Sequence, residues 1–99
     1  MKVYLSELAE SKLFRLSEYL MEKWNVQTRD KFIEKLTGKI EQISSQPHSC
    51  PKSEKFNGLY KCVVSKQTTL YYRIQSNEIE IITIFDTRQN PEKLEKDIE

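Results

Sequence analysis

The stretch that decides the fold is residues 59–85, Leu-Tyr-Lys-Cys-Val-Val-Ser-Lys-Gln-Thr-Thr-Leu-Tyr-Tyr-Arg-Ile-Gln-Ser-Asn-Glu-Ile-Glu-Ile-Ile-Thr-Ile-Phe. Residues 59–65, 68–75 and 79–85 are rich in Val, Ile, Thr, Tyr and Phe, the side chains that suit a pleated surface. Lys66-Gln67 and Ser76-Asn77-Glu78 leave room only for tight turns. Three consecutive strands joined this way predict an antiparallel meander. Residues 79–85 are apolar almost throughout, which predicts a strand covered on both faces or central in the sheet.

Outward from the meander, the upstream half reads as helix. Ser6 is a good N-cap with Glu7 in the first turn. Ala9, Leu13, Leu16 and Leu20 then recur on one helical face, which Phe14, Tyr19, Met21 and Trp24 widen. This predicts a helix over residues 7–24. Asn25 breaks the pattern, and Thr28 is the expected cap of a second helix, carrying Phe32, Ile33, Leu36, Ile40 and Ile43 and ending near Ser45. Gly38 inside it is expected to permit close approach to the first helix. Two such helices on a short link form an antiparallel hairpin. Residues 46–58, with Pro47 and Pro51, read as an ordered loop. Residues 3–5 are a short apolar run expected to join the sheet at an edge. The tail from Glu92 is charged, with Leu94 and Ile98 four apart, and is expected to form a loose helical turn or two or a frayed end.

The fold class is therefore α+β: a short N-terminal strand, a two-helix hairpin and a three-stranded antiparallel meander. The helices pack on one sheet face and the other is partly open. Ninety-nine residues fit one domain. Sixteen basic and 15 acidic residues give a net charge of +1. No strong nonspecific pull toward nucleic acid follows, unless the charges segregate locally. Cys50 and Cys62 form no zinc pattern with His48 and are expected to be reduced thiols, so no metal and no cofactor is predicted. No apolar run approaches the roughly 18 residues of a membrane span. The N-terminus lacks a signal-peptide core. The expected location is cytoplasmic, with no membrane partner.

The residues also carry a family resemblance. Val3-Tyr4-Leu5-Ser6 with Ala9 and Leu13, Tyr19-Leu20 with Trp24, and Phe32 with Leu36 and Ile40 occur in that order. Pro47 follows the second helix. Leu70-Tyr71-Tyr72-Arg73-Ile74 and the run Ile81-Ile82-Thr83-Ile84-Phe85-Asp86-Thr87-Arg88-Gln89-Asn90-Pro91 come after it. Together they resemble the RelE/ParE toxin superfamily of bacterial type II toxin–antitoxin and plasmid stabilisation systems, over nearly the whole chain. The resemblance implies a single toxin domain over residues 1–99, a growth-inhibiting activity and a cognate antitoxin partner. It leaves two targets open. ParE-like members inhibit DNA gyrase without being nucleases, and RelE-like members cleave mRNA on the ribosome.

A nuclease of this fold needs cations for the strained phosphate, a general base and an acid. Lys61, Lys66, Arg73 and Arg88 are the candidate cations. Of these, Arg73, Arg88 and Lys61 are also the candidate antitoxin- or target-binding residues. Arg73 and Arg88 are expected on neighbouring strands, sharing a face. The alternative is that they are surface arginines paired with Glu80 or Asp86. Ribonuclease members commonly carry a tyrosine or histidine just after the last strand, and residues 89–96 contain neither. His48 is expected to be exposed and inert. Glu54 in the same loop could be a base, and Tyr60, Tyr71 and Tyr72 are available as an acid or base, although strand tyrosines usually pack. The incomplete set and the near-zero charge favour the ParE-like, gyrase-directed class. The ribosome-dependent endoribonuclease is the alternative, and a degenerate non-toxic member is a third reading.

Overall fold

The computed structural model describes residues 1–88 and 91–98, without the side chain at position 91. Gln89 and Asn90 of the closing motif quoted above, and Glu99, lie outside the described residues. The elements run β1 (Lys2–Leu5), α1 (Glu7–Lys23), α2 (Val26–Ser45), β2 (Tyr60–Ser65), β3 (Thr68–Gln75), β4 (Glu78–Asp86) and α3 (Pro91–Ile98).

The three downstream strands form the expected meander, and β1 adds to its edge. The order is β1-β4-β3-β2, with β1 parallel to β4 and the other pairs antiparallel. Ser76 and Asn77 both take positive φ, 53° and 61°, in the two-residue turn between β3 and β4. That backbone matches the right-handed twist of the flanking strands, and asparagine tolerates it well. With β1 on one side and β3 on the other, β4 is central.

Its nearly unbroken apolar run has a second cause. Tyr71 pairs with Thr83, but Tyr72 pairs with Ile81, so Ile82 is an extra residue in β4. A bulge of this kind shifts the alternation by one. Ile79, Ile81 and Ile84 consequently face one core, while Phe85 faces another. Ser6 fastens the helix entry to this point. Its hydroxyl donates to the Ile82 carbonyl at 2.7 Å and caps α1 by accepting from the Ala9 amide at 3.0 Å.

The helical hairpin covers the first face. Leu36, Ile43, Ala9 and Phe32 are buried there with Cys62, Leu70, Tyr72, Ile79 and Ile81. Leu13, Leu16, Leu20 and Ile40 pack against this core but keep partial exposure. The link between the helices is shorter than expected. Asn25 rather than Thr28 caps α2, and its side chain accepts from the Thr28 amide at 2.8 Å. Both residues are cap formers, and asparagine is the stronger N-cap. Phe14, Tyr19, Met21 and Trp24 do not widen the core face of α1. All four are exposed, Phe14 and Trp24 most of all at 64% and 69%, because only one side of that helix meets the sheet. Gly38 makes no close approach to α1. It sits on the exposed side of α2, and a Cβ there would meet nothing within 4 Å.

The second sheet face is less open than expected. Leu94 and Ile98 of α3 pack with Leu59, Tyr71, Phe85, Phe56 and Ile82 in a second small core, where Leu94 is 5% exposed. An eight-residue helix is too short to persist alone in water. This one is held by its apolar pair and by ion pairs from Lys12 to Asp97 and Lys55 to Glu95.

Candidate functional site

α3 creates a groove that the linear order of the chain does not reveal. It runs between α1, the C-terminal end of β4 and α3, and encloses about 670 Å³. Leu16 and Ile84 contribute its apolar lining. Around them stand five cations, Lys12, Arg15, Arg88, Lys93 and Lys96, against two carboxylates, Asp86 and Asp97. Tyr19 lies at the same wall. The chain as a whole is nearly neutral, so the excess of positive charge here is a local segregation.

Each wall has a structural cause. Lys12, Arg15 and Tyr19 project from one flank of α1, beside the face whose leucines meet the core. Lys12 spans the floor: it pairs with Asp97, and its ammonium lies 5.7 Å from the centre of the Phe85 ring. Thr83 also donates to Asp97, at 3.1 Å. Asp97 is thereby occupied as the tie between α1, β4 and α3.

Arg88 is held at the rim by Asp86. Its Nε donates at 3.0 Å to Oδ1 and its Nη2 at 2.7 Å to Oδ2, and its backbone amide adds a bond at 2.9 Å. This fork keeps the Asp86 carboxyl below its ordinary range, chiefly through the Arg88 hydrogen bonds. The same pairing pushes the guanidinium further up. Asp86 thus orients Arg88. Roughly half of the Arg88 side chain, 54%, remains open to solvent and to a partner.

The candidate cations divide into two groups. Lys66 sits in the β2–β3 turn at the Arg88 end of the sheet, where the Thr87 amide donates to the Gln67 carbonyl at 2.9 Å. Lys61 and Arg73 lie elsewhere, exposed on the sheet face away from the hairpin. Lys61 pairs in register with Tyr71, two residues before Arg73. Arg73 is tied to Glu80 at 2.8 Å. The expectation that Arg73 and Arg88 share a face does not hold. From Glu80 to Asp86 the strand advances roughly 20 Å at ~3.3 Å per residue, and the Ile82 bulge turns the two partners to opposite faces.

The two tyrosines are packed. Tyr71 lies under α3 and Tyr72 in the first core, where its hydroxyl donates to the Pro47 carbonyl at 2.7 Å. Burial raises both pKa values. His48 is exposed, with Nδ1 2.9 Å from the Tyr60 hydroxyl. Among the described residues no group of three or more His, Cys, Asp or Glu side chains could hold a metal ion.

Sequence reasoning missed the groove residues of α1 and α3. Lys12, Arg15 and Tyr19 recur at helical spacing on one flank, which is a signal in hindsight. Lys93, Lys96 and Asp97 acquire their place only through the docking of α3.

The architecture defines a class. The chain is similar in fold to a protein of the chromosomal ParDE TA system from P. aeruginosa, with a TM-score of 0.74 at 11% identity, covering 87% of this chain and 95% of that one. It is also similar to the YoeB/ParE toxin from Agrobacterium tumefaciens, with a TM-score of 0.64 at 14% identity, covering 87% and 98%. A chain of the YoeB-YefM complex from Staphylococcus aureus gives 0.58 at 15% identity, covering 86% and 94%. Residues 3–91 match the family model for the ParE toxin of the type II toxin-antitoxin system, parDE, and the chain belongs to that family. No significant sequence match occurs among curated proteins. No helix among the described residues is long and apolar enough to cross a membrane.

Proposed function

We propose that this single-domain chain is a cytoplasmic growth-inhibiting toxin, silenced by a cognate antitoxin, that disables DNA gyrase by binding it. The observation that carries the reading is the dispersal of the nuclease candidates. A ribonuclease would gather cations, an acid and a base around one phosphate. Here Arg73 lies toward one end of the sheet, Lys66 and Arg88 lie at the other, and Lys61 sits between them on the face away from the hairpin. Tyr71 and Tyr72 are both buried. The cationic groove is suited to binding rather than to acid–base chemistry.

An antitoxin segment with carboxylates set against Arg88, and apolar side chains over Leu16 and Ile84, fits the groove. Arg73 and Lys61 offer a second cationic strip on the sheet face. A tail that orders on binding is the expected form of such a partner.

Induction of the chain in cells tests this reading, with plasmid supercoiling and transcript integrity followed in parallel. Growth arrest with loss of negative supercoiling and intact messages is expected, relieved by co-expression of the neighbouring reading frame. Rapid cleavage of translated messages with unchanged supercoiling would replace it with the ribosome-dependent endoribonuclease. Absence of arrest would leave the degenerate, non-toxic member.

A further inference from the structure

The loop between α2 and β2 is partly an extra strand at the sheet edge. Lys52 bridges antiparallel to Tyr60. The Lys61 amide donates to the Pro51 carbonyl at 2.9 Å, and the Ser53 amide donates to the Leu59 carbonyl at 2.8 Å. Moving back along the edge segment and forward along β2 from the Lys52–Tyr60 bridge brings Cys50 directly opposite Cys62. The bonded pairs are Pro51 with Lys61 and Ser53 with Leu59, so continuing this register by one residue sets Cys50 across from Cys62 at a non-hydrogen-bonded position. In such pairs the Cα atoms are about 4.5 Å apart and the side chains are at their closest. A disulfide accepts Cα separations of roughly 4.4–6.8 Å. Both thiols belong to the hairpin-facing core, at 8% and 2% exposure, so both side chains point to the same side of the sheet.

We infer that Cys50 and Cys62 are a redox modification site: a vicinal cross-strand dithiol that closes to an intramolecular disulfide and locks the α2–β2 loop to the sheet. The inference is independent of the target of the toxin. Cys50 lies on the outer segment, beyond the last strand of the sheet, and is the thiol that local opening exposes. Its thiolate attacks a low-molecular-weight disulfide of the glutathione class. The S–S bond breaks, one small thiol leaves with a proton, and a mixed disulfide forms on Cys50. Cys62 then loses its proton to solvent, its sulfur attacks the Cys50 sulfur, and the second small thiol leaves. Two electrons and two thiol hydrogens pass to the small disulfide in all.

Burial pushes the Cys62 thiol up to about 12, which makes it the resolving rather than the attacking thiol and makes closure faster as pH rises. The setting is firm enough to hold the pair in register. Tyr72 ties its hydroxyl to the Pro47 carbonyl just upstream of Cys50 and stacks on Tyr60 at 5.1 Å.

The full chain, equilibrated in glutathione buffers from reducing to oxidising, tests the site. Each sample is quenched with acid, alkylated under denaturing conditions and mapped by mass. The expected product is monomeric on a non-reducing gel and lighter by about 2 Da, with both alkylation sites lost together. One cross-linked peptide pair joins Cys50 to Cys62, and the melting temperature rises by roughly 5 °C or more. Cys62→Ser should stop at the mixed disulfide on Cys50, and the wild-type map decides even if that variant does not fold. Full alkylation of both thiols at every buffer ratio would overturn the assignment. So would oxidation giving only glutathione adducts or intermolecular dimers, or a cross-link that lowers the melting temperature.

Discussion

Replacing Leu94 by alanine tests whether α3 is an integral wall of the domain. Leu94 is 5% exposed and lies at the centre of the second core, against Tyr71 and Phe85. Fully burying a leucine side chain contributes about 1.5–3 kcal/mol, and truncating one in a core costs about 2–5 kcal/mol once the cavity is included. α3 is only eight residues long, so it can shift to fill part of the void. The lower part of that range follows, about 2 kcal/mol. It has a ceiling, because once α3 undocks no further contact is left to lose. For a chain of this size each kcal/mol moves the melting point by about 4–8 °C. Thermal unfolding followed by circular dichroism should therefore show a drop of roughly 8–16 °C. Hydrogen exchange should show faster exchange at Tyr71 and Phe85 but not at Ile79 or Ile81, which belong to the other core. An unchanged melting point together with unchanged protection at Tyr71 and Phe85 would refute the reasoning and return α3 to a loose tail.

Gly38→Ala should stabilise the domain by about 0.5–1 kcal/mol, because the helix gains alanine's propensity and the new methyl meets no neighbour. A lower denaturation midpoint would mean that the position is crowded. Asp86 has a folded-state pKa below its ordinary value, so its stabilisation is present above the unfolded pKa of about 4 and lost as pH falls through the folded value. The effect is small at so exposed a pair. The fall in stability from neutral to acid pH should nevertheless shrink in Asp86→Asn, as denaturant titrations at several pH values would show. Arg88→Gln should melt like wild type, and it should lose growth inhibition or antitoxin affinity if the groove is the working surface. A fully toxic variant that binds its antitoxin normally would make Arg88 structural.

Much of the fold is legible in residues 59–85, because β-branched and aromatic runs separated by two-residue turns admit few arrangements. The helices are legible through the spacing of Ala9, Leu13, Leu16 and Leu20 and of Phe32, Leu36, Ile40 and Ile43. The Ile82 bulge is not, since a run of apolar residues looks the same with or without a shift in alternation. Thr28 and Asn25 are both competent caps, and asparagine is the stronger of the two, a preference that the helical spacing alone does not show. Leu94 and Ile98 show the helical spacing of α3, but how firmly it docks depends on Tyr71 and Phe85, which lie far back in the sequence. The site suffers most from this distance. Its cations come from α1, the end of β4 and α3, and no local motif unites them. Arg73 and Arg88 look like neighbours in a list of strands and are separated by the length of β4.

In the proposed role the chain acts by binding gyrase and not by cutting RNA. Purified gyrase supercoiling relaxed plasmid, with this chain titrated in, tests it most directly. Dose-dependent loss of supercoiling is expected, abolished by premixing with the antitoxin, while mRNA on programmed ribosomes stays intact. Unimpaired supercoiling at a large excess of the chain, with mRNA cut on the same ribosomes, would contradict it.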